Sequence, residues 1–102
     1  MNPELLEKIR RQKSLLAEEG FEIVGIFGSY ARGEETEESD LDLLYEIKPP
    51  FLERYGGFEA FAQLNAIRDR LSEALGKRID LATVNHRSRT FREYAMRDVI
   101  YV

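Results

Sequence analysis

Apolar positions divide the chain into helical and extended stretches. Residues 2–19 place Leu5, Leu6, Ile9 and Leu16 at helical spacing, with Lys8, Arg10, Arg11 and Lys13 mostly on the wet side. Asn2 as cap, Pro3 at the first helical position, acidic Glu4 and Glu7, and a following Gly20 mark the ends of that helix. Phe21 to Phe27 is a short apolar run suited to a buried strand, and Gly28 ends it. Ser29 to Arg32 fits one helical turn closed by Gly33, and acidic Glu34 to Ser39 reads as an exposed connection. From Asp40 to Ile47 the pattern alternates. Asp40, Asp42, Leu44 and Glu46 share one face, and Leu41, Leu43, Tyr45 and Ile47 share an apolar face that belongs against helices.

Pro49-Pro50 ends the second strand, and Phe51 to Gly57 reads as a loop whose aromatics, Phe51 and Tyr55, either fold back on the core or mark an interface. Phe58, Phe61, Leu64, Ile67, Leu71 and Leu75 recur by three and four, which predicts the longest helix, stopped by Gly76. A third strand is expected over Arg78 to Val84 and a short helix over Ser88 to Arg97. Val99 to Val102 is left as an edge strand or docked tail. This order predicts an α/β fold in one domain spanning residues 1–102, a small mixed β-sheet covered by helices.

Composition narrows the chemistry more than the fold. At 102 residues with 43% hydrophobic and 33% charged content, the chain reads as an ordinary globular domain. No apolar run approaches the roughly 20 residues of a membrane span and no signal-peptide pattern opens the chain, so a cytoplasmic location is expected. Without cysteine, and with His86 as the one histidine, no ordinary zinc site or cysteine nucleophile is available. His86 fits a surface or capping role. Arg87, Arg89 and Arg92 form a small basic patch that is either solvated or a contact for nucleotide or partner. A net charge of −4 argues against direct nucleic-acid binding, because gripping a phosphate backbone takes a basic surface. Neither a P-loop nor a dinucleotide fingerprint is present.

The chemistry concentrates in Ile26 to Leu44. Two carboxylates at i and i+2 of a strand project side by side, and their repulsion calls for a compensating cation, for which a divalent metal is the obvious candidate. The upstream Gly28-Ser29 turn offers backbone N–H groups and a hydroxyl suited to phosphate oxygens. Taken alone, Asp40 and Asp42 would equally serve as solvent-facing residues at a strand start. Gly28-Ser29, then ten residues, then Asp40-Leu41-Asp42 lies within the longer string Gly-Ser-x-Ala-Arg-Gly-x-x-x-x-x-Ser-Asp-x-Asp-Leu-Leu, filled here without a gap. That string resembles the minimal nucleotidyltransferase (MNT) family of the DNA polymerase beta-like superfamily, including the antitoxin members of HEPN–MNT toxin–antitoxin pairs.

The resemblance implies a specific division of labour. Asp40 and Asp42 would hold two Mg2+ ions, with Asp80 from the third strand as the later carboxylate that also helps take the acceptor's proton. Asp80 has a plainer alternative as an ion-pair partner of Arg78. Gly28 and Ser29 would meet the terminal phosphates. Ser39 would either bind them too or cap the turn before the strand, and Arg32 would approach them with no firm family role. The implied reaction moves AMP from ATP to a hydroxyl, a tyrosine of a cognate HEPN ribonuclease toxin, making the chain an antitoxin. Two alternatives stand beside it: a non-catalytic antitoxin that covers its partner, and a nucleotidyltransferase acting on a small molecule or a regulatory protein.

Overall fold

A computed structural model describes residues 1–102. It comprises α1 (Pro3–Ala17), β1 (Phe21–Phe27), α2 (Gly28–Arg32), β2 (Leu41–Ile47), α3 (Pro49–Arg54), α4 (Phe58–Leu75), β3 (Ile79–Thr83), α5 (Arg89–Arg97) and β4 (Ile100–Tyr101). The strands form one mixed sheet in the order β3-β2-β1-β4. β1 runs antiparallel to both β2 and β4, while β2 and β3 are parallel, joined through α3 and α4. This is the small helix-covered mixed sheet that the hydrophobic pattern predicts.

Strand alternation sorts the core into two layers. Phe21, Ile23, Ile26, Leu41 and Leu43 pack on one face against Leu5, Ile9 and Leu16 of α1 and Ile67, Leu71 and Leu75 of α4. On the opposite face Phe27, Leu44 and Ala82 pack under Ala95 of α5, with Phe91 and Val99 alongside. A bulge between Ile23 and Gly25 shifts the register of β1, so that Ile26 opposes Leu43 and Phe27 opposes Asp42. That offset delivers the last residue of β1 to the face that carries the carboxylates.

Local chemistry sets the element ends. The Asn2 side chain accepts from the Glu4 N–H at 2.7 Å, and Pro3 occupies the first helical position. Gly33 and Gly76 close their helices in the left-handed region, as expected of glycine stops. Ser88 accepts from the Phe91 N–H at 3.1 Å and therefore caps α5 rather than opening it.

Three expectations are corrected. Phe51 to Gly57 is not all loop: Pro49 and Pro50 start α3, because the fixed proline φ suits a first turn where the N–H has no helical partner. Its Phe51 is buried against the core with Tyr55 tilted on it at 5.0 Å, so these aromatics fold back. Asp40 lies outside β2, whose first ladder bond runs from the Leu41 N–H to the Arg78 carbonyl at 2.8 Å. β3 is shorter than expected at both ends, leaving Arg78 and Val84 outside it. The apolar stripe of α4 is buried only at Ile67, Leu71 and Leu75, while Phe58 is 95% and Phe61 71% exposed. Periodicity identifies a helix face but not where the sheet beneath it stops.

Candidate functional site

The carboxylates meet through the sheet register. Asp42 sits within β2 and faces away from the larger core layer, and parallel pairing places Asp80 of β3 as its direct cross-strand neighbour. Two like-charged side chains in that relation repel. Asp42 carries the consequence. Partial burial first, then the charges of Asp80 and Asp40, push its carboxyl up to about 6, while the nearby Arg32 charge pulls it back. A polar pair held in this way is strained electrostatically and favours a cation between its members.

Gly28 forms the floor beside Asp42. Its φ is +73°, and a Cβ built there would fall 2.1 Å from Asp42 Oδ2. Glycine is therefore required twice over: by the left-handed backbone and by the close approach of the carboxylate. Ser29 follows, half-buried, in the five-residue α2. Arg32 is the last residue of α2, and its guanidinium donates to Glu34 and reaches Tyr94 of α5.

Asp40 stands slightly apart. Its Oδ1 accepts from Arg78 Nε at 2.9 Å, and the Arg78 guanidinium also donates to the Glu38 carbonyl. Arg78 thus pairs with Asp40 rather than with Asp80, which removes the plainer alternative for Asp80. The Ser39 Oγ accepts from the Thr36 N–H at 2.9 Å and ties the turn before β2. His86 is a capping residue: its Nδ1 accepts from the Ser88 N–H at 3.0 Å and its ring lies tilted against Phe91 at 4.3 Å. Within the basic patch, Arg92 donates to the carbonyls of His86 and Arg87, and Arg89 pairs with Glu93 at 2.9 Å. Both are absorbed by their own loop and helix.

No three acidic or imidazole side chains converge tightly enough to form a closed metal cage. The donor set nevertheless suits magnesium, which binds through one or two carboxylates and leaves its other positions to water and phosphate. Asp42 and Asp80 are such a pair. A cleft of about 180 Å³ lined by Tyr45, Phe61, Leu64, Asn65, Arg68 and Leu81 lies on the other side of the sheet and contains no acidic group. No helix is long and apolar enough to cross a membrane.

The sequence alone left Arg78, Glu34 and Tyr94 without a part in this site. Arg78 lies two residues before Asp80 in the chain, so the charge was visible but its partner was not. Glu34 and Tyr94 hold Arg32, the latter from 62 residues away, a contact that no local pattern announces.

Comparison with known proteins identifies the family. A model of the nucleotidyltransferase domain matches residues 4–102. Protein adenylyltransferase MntA of Thermococcus cleftensis is 32% identical over 92 residues, spanning 89% of this chain and 84% of that protein. A candidate protein adenylyltransferase of Methanocaldococcus jannaschii is 32% identical over 101 residues, or 97% of this chain and 95% of that one. Among solved structures, a candidate minimal nucleotidyltransferase superposes with a TM-score of 0.72 at 33% identity, covering 100% of this chain and 97% of its own. A chain from a crystal structure of a toxin–antitoxin with AMP-PNP superposes at 0.66, covering 93% of this chain and 69% of its own. At 18% identity it attests the shared fold alone.

Proposed function

This chain belongs to the minimal nucleotidyltransferases, within the nucleotidyltransferase-domain family, and from that premise we propose that it is a Mg2+-dependent protein adenylyltransferase. It moves AMP from ATP to a tyrosine hydroxyl of a cognate HEPN toxin and acts as that toxin's antitoxin. The observation that carries the reading is the register of Asp42 against Asp80 with Gly28 packed on the Asp42 carboxylate. The relatives named protein adenylyltransferase support the choice of a protein acceptor.

Asp42 and Asp80 would hold the metal, with Asp40 completing the set once released from Arg78. Bound there, Mg2+ supplies charge neutralisation for the carboxylates and Lewis-acid polarisation of the phosphates. The residues themselves do the following. Gly28 lets the Asp42 carboxylate lie against the turn that opens α2, and the Ser29 hydroxyl donates to the terminal phosphates. The acceptor oxygen attacks the α-phosphorus and the bond from that phosphorus to the pyrophosphate oxygen breaks. The acceptor's proton passes to Asp80, which lies on the exposed edge strand where an incoming hydroxyl can reach it.

The test is incubation with ATP, Mg2+ and the product of the neighbouring gene, followed by intact-mass measurement and peptide mapping. A gain of one AMP on a tyrosine of that product, lost in Asp40→Ala/Asp42→Ala, supports the proposal. If the double variant neutralises the partner as well as the parent does, neutralisation works by binding and the catalytic antitoxin is wrong.

A further inference from the structure

Arg32 has two side-chain partners, one of them from a distant helix. Its Nε donates to Glu34 Oε1 at 2.7 Å, and its Nη1 reaches the Tyr94 hydroxyl at 3.4 Å. The guanidinium also lies 6.0 Å from the centre of the Tyr94 ring, within cation–π range. Tyr94 is braced in turn. Its ring tilts against Phe91 at 6.5 Å, and Phe91 meets Phe27 edge-on at 6.0 Å. Phe27 is the residue before Gly28 and the register partner of Asp42. One aromatic chain therefore links α5 to the floor of the carboxylate site and ends in a phenol that grips Arg32.

We propose that Tyr94 is a positioning residue that holds Arg32 beside Asp42 as the cationic contact for the β- and γ-phosphates of the bound nucleotide. Two features carry it. Arg32 belongs to the short α2, which opens at Gly28 against the Asp42 carboxylate. Its two tethers leave the remaining guanidinium N–H groups to donate elsewhere, and a planar guanidinium fixed from behind suits phosphate oxygens. Holding a rotamer-rich arginine in place before binding removes part of the ordering cost that a free side chain would pay on meeting the nucleotide.

This inference rests on the nucleotide reading above, and its test separates the two. Dissociation constants for ATP, ADP and AMP are measured with Mg2+ by calorimetry on the full chain and on Tyr94→Phe, Tyr94→Leu, Arg32→Gln and Tyr94→Phe/Arg32→Gln. Tyr94→Phe keeps the ring and its packing while removing the hydroxyl, so ATP binding should weaken about 3- to 10-fold with no change in melting temperature. Tyr94→Leu should weaken it further, AMP binding should stay unchanged, and Tyr94→Phe should add nothing in the Arg32→Gln background. In turnover assays the loss should fall on KM for ATP more than on kcat. Unaltered ATP binding in Tyr94→Phe overturns the positioning role alone. So does equal weakening across ATP, ADP and AMP, or an additive loss in the double variant. Failure of the parent chain to bind ATP overturns the nucleotide reading and this one with it.

Discussion

Replacing Asp42 by asparagine should stabilise this protein. Asparagine keeps the shape and removes a charge that the fold holds at a cost, since Asp42 is half-buried, opposite Asp80 and near Asp40. A carboxyl moved from 3.8 to about 6 carries an ionisation penalty of about 3 kcal/mol before screening. Solvent reaches part of the side chain, and screening brings the expected value to about 1–2 kcal/mol. The sign follows from proton binding. A carboxyl raised in the folded state keeps its proton longer folded than unfolded, so stability falls as pH climbs from about 4 to about 7. The penalty is complete above the folded value and absent below the unfolded one. Thermal melts in EDTA should therefore show Asp42→Asn about 5–10 °C above the parent at pH 7.5, with the gap closing towards pH 4. A variant that melts at or below the parent at pH 7.5, or a gap independent of pH, would refute the claim that Asp42 is electrostatically strained.

Two further substitutions probe the same site from other sides. Gly28→Ala must move the Asp42 carboxylate, which lies 2.1 Å from the added Cβ, and adopt a φ of +73°. It should lose about 1–3 kcal/mol in urea unfolding together with transferase activity; parental stability would show that α2 relaxes freely. Arg78→Gln frees Asp40 and the Glu38 carbonyl, but both charged side chains are largely exposed. Its urea midpoint should shift by less than about 1 kcal/mol in equivalent stability, and a larger loss would mean that Arg78 anchors the 34–39 loop.

What could be read without coordinates followed the distance over which each feature is decided. Gly28 and Ser29 open α2, Asp40 precedes β2 and Asp42 lies within it, so their spacing is written locally and was legible. The Asn2 cap and the Gly33 and Gly76 stops are likewise local chemistry. Asp80 was legible as a carboxylate in a strand, but its register opposite Asp42 depends on the parallel pairing that the β2-to-β3 connection makes possible. The pairing of Arg78 with Asp40 depends on that same register, as does its failure to pair with Asp80. Pro49-Pro50 misled because proline both ends a strand and starts a helix, and only burial of Phe51 decides between them. The bulge in β1 and the grip of Tyr94 on Arg32 were beyond reach, since each arises when distant segments pack.

The most direct measurement compares two labels. The chain is incubated with Mg2+, the neighbouring gene's product and ATP carrying radioactive phosphorus at either the α or the γ position. Asp42→Asn and Asp80→Asn are run in parallel. Nucleotidyl transfer predicts that the α-label becomes covalently attached to the partner, that the γ-label leaves as pyrophosphate, and that neither variant labels the partner. Attachment of the γ-label, or α-labelling that survives loss of Asp42 or Asp80, would contradict a nucleotidyltransferase built on that pair of carboxylates.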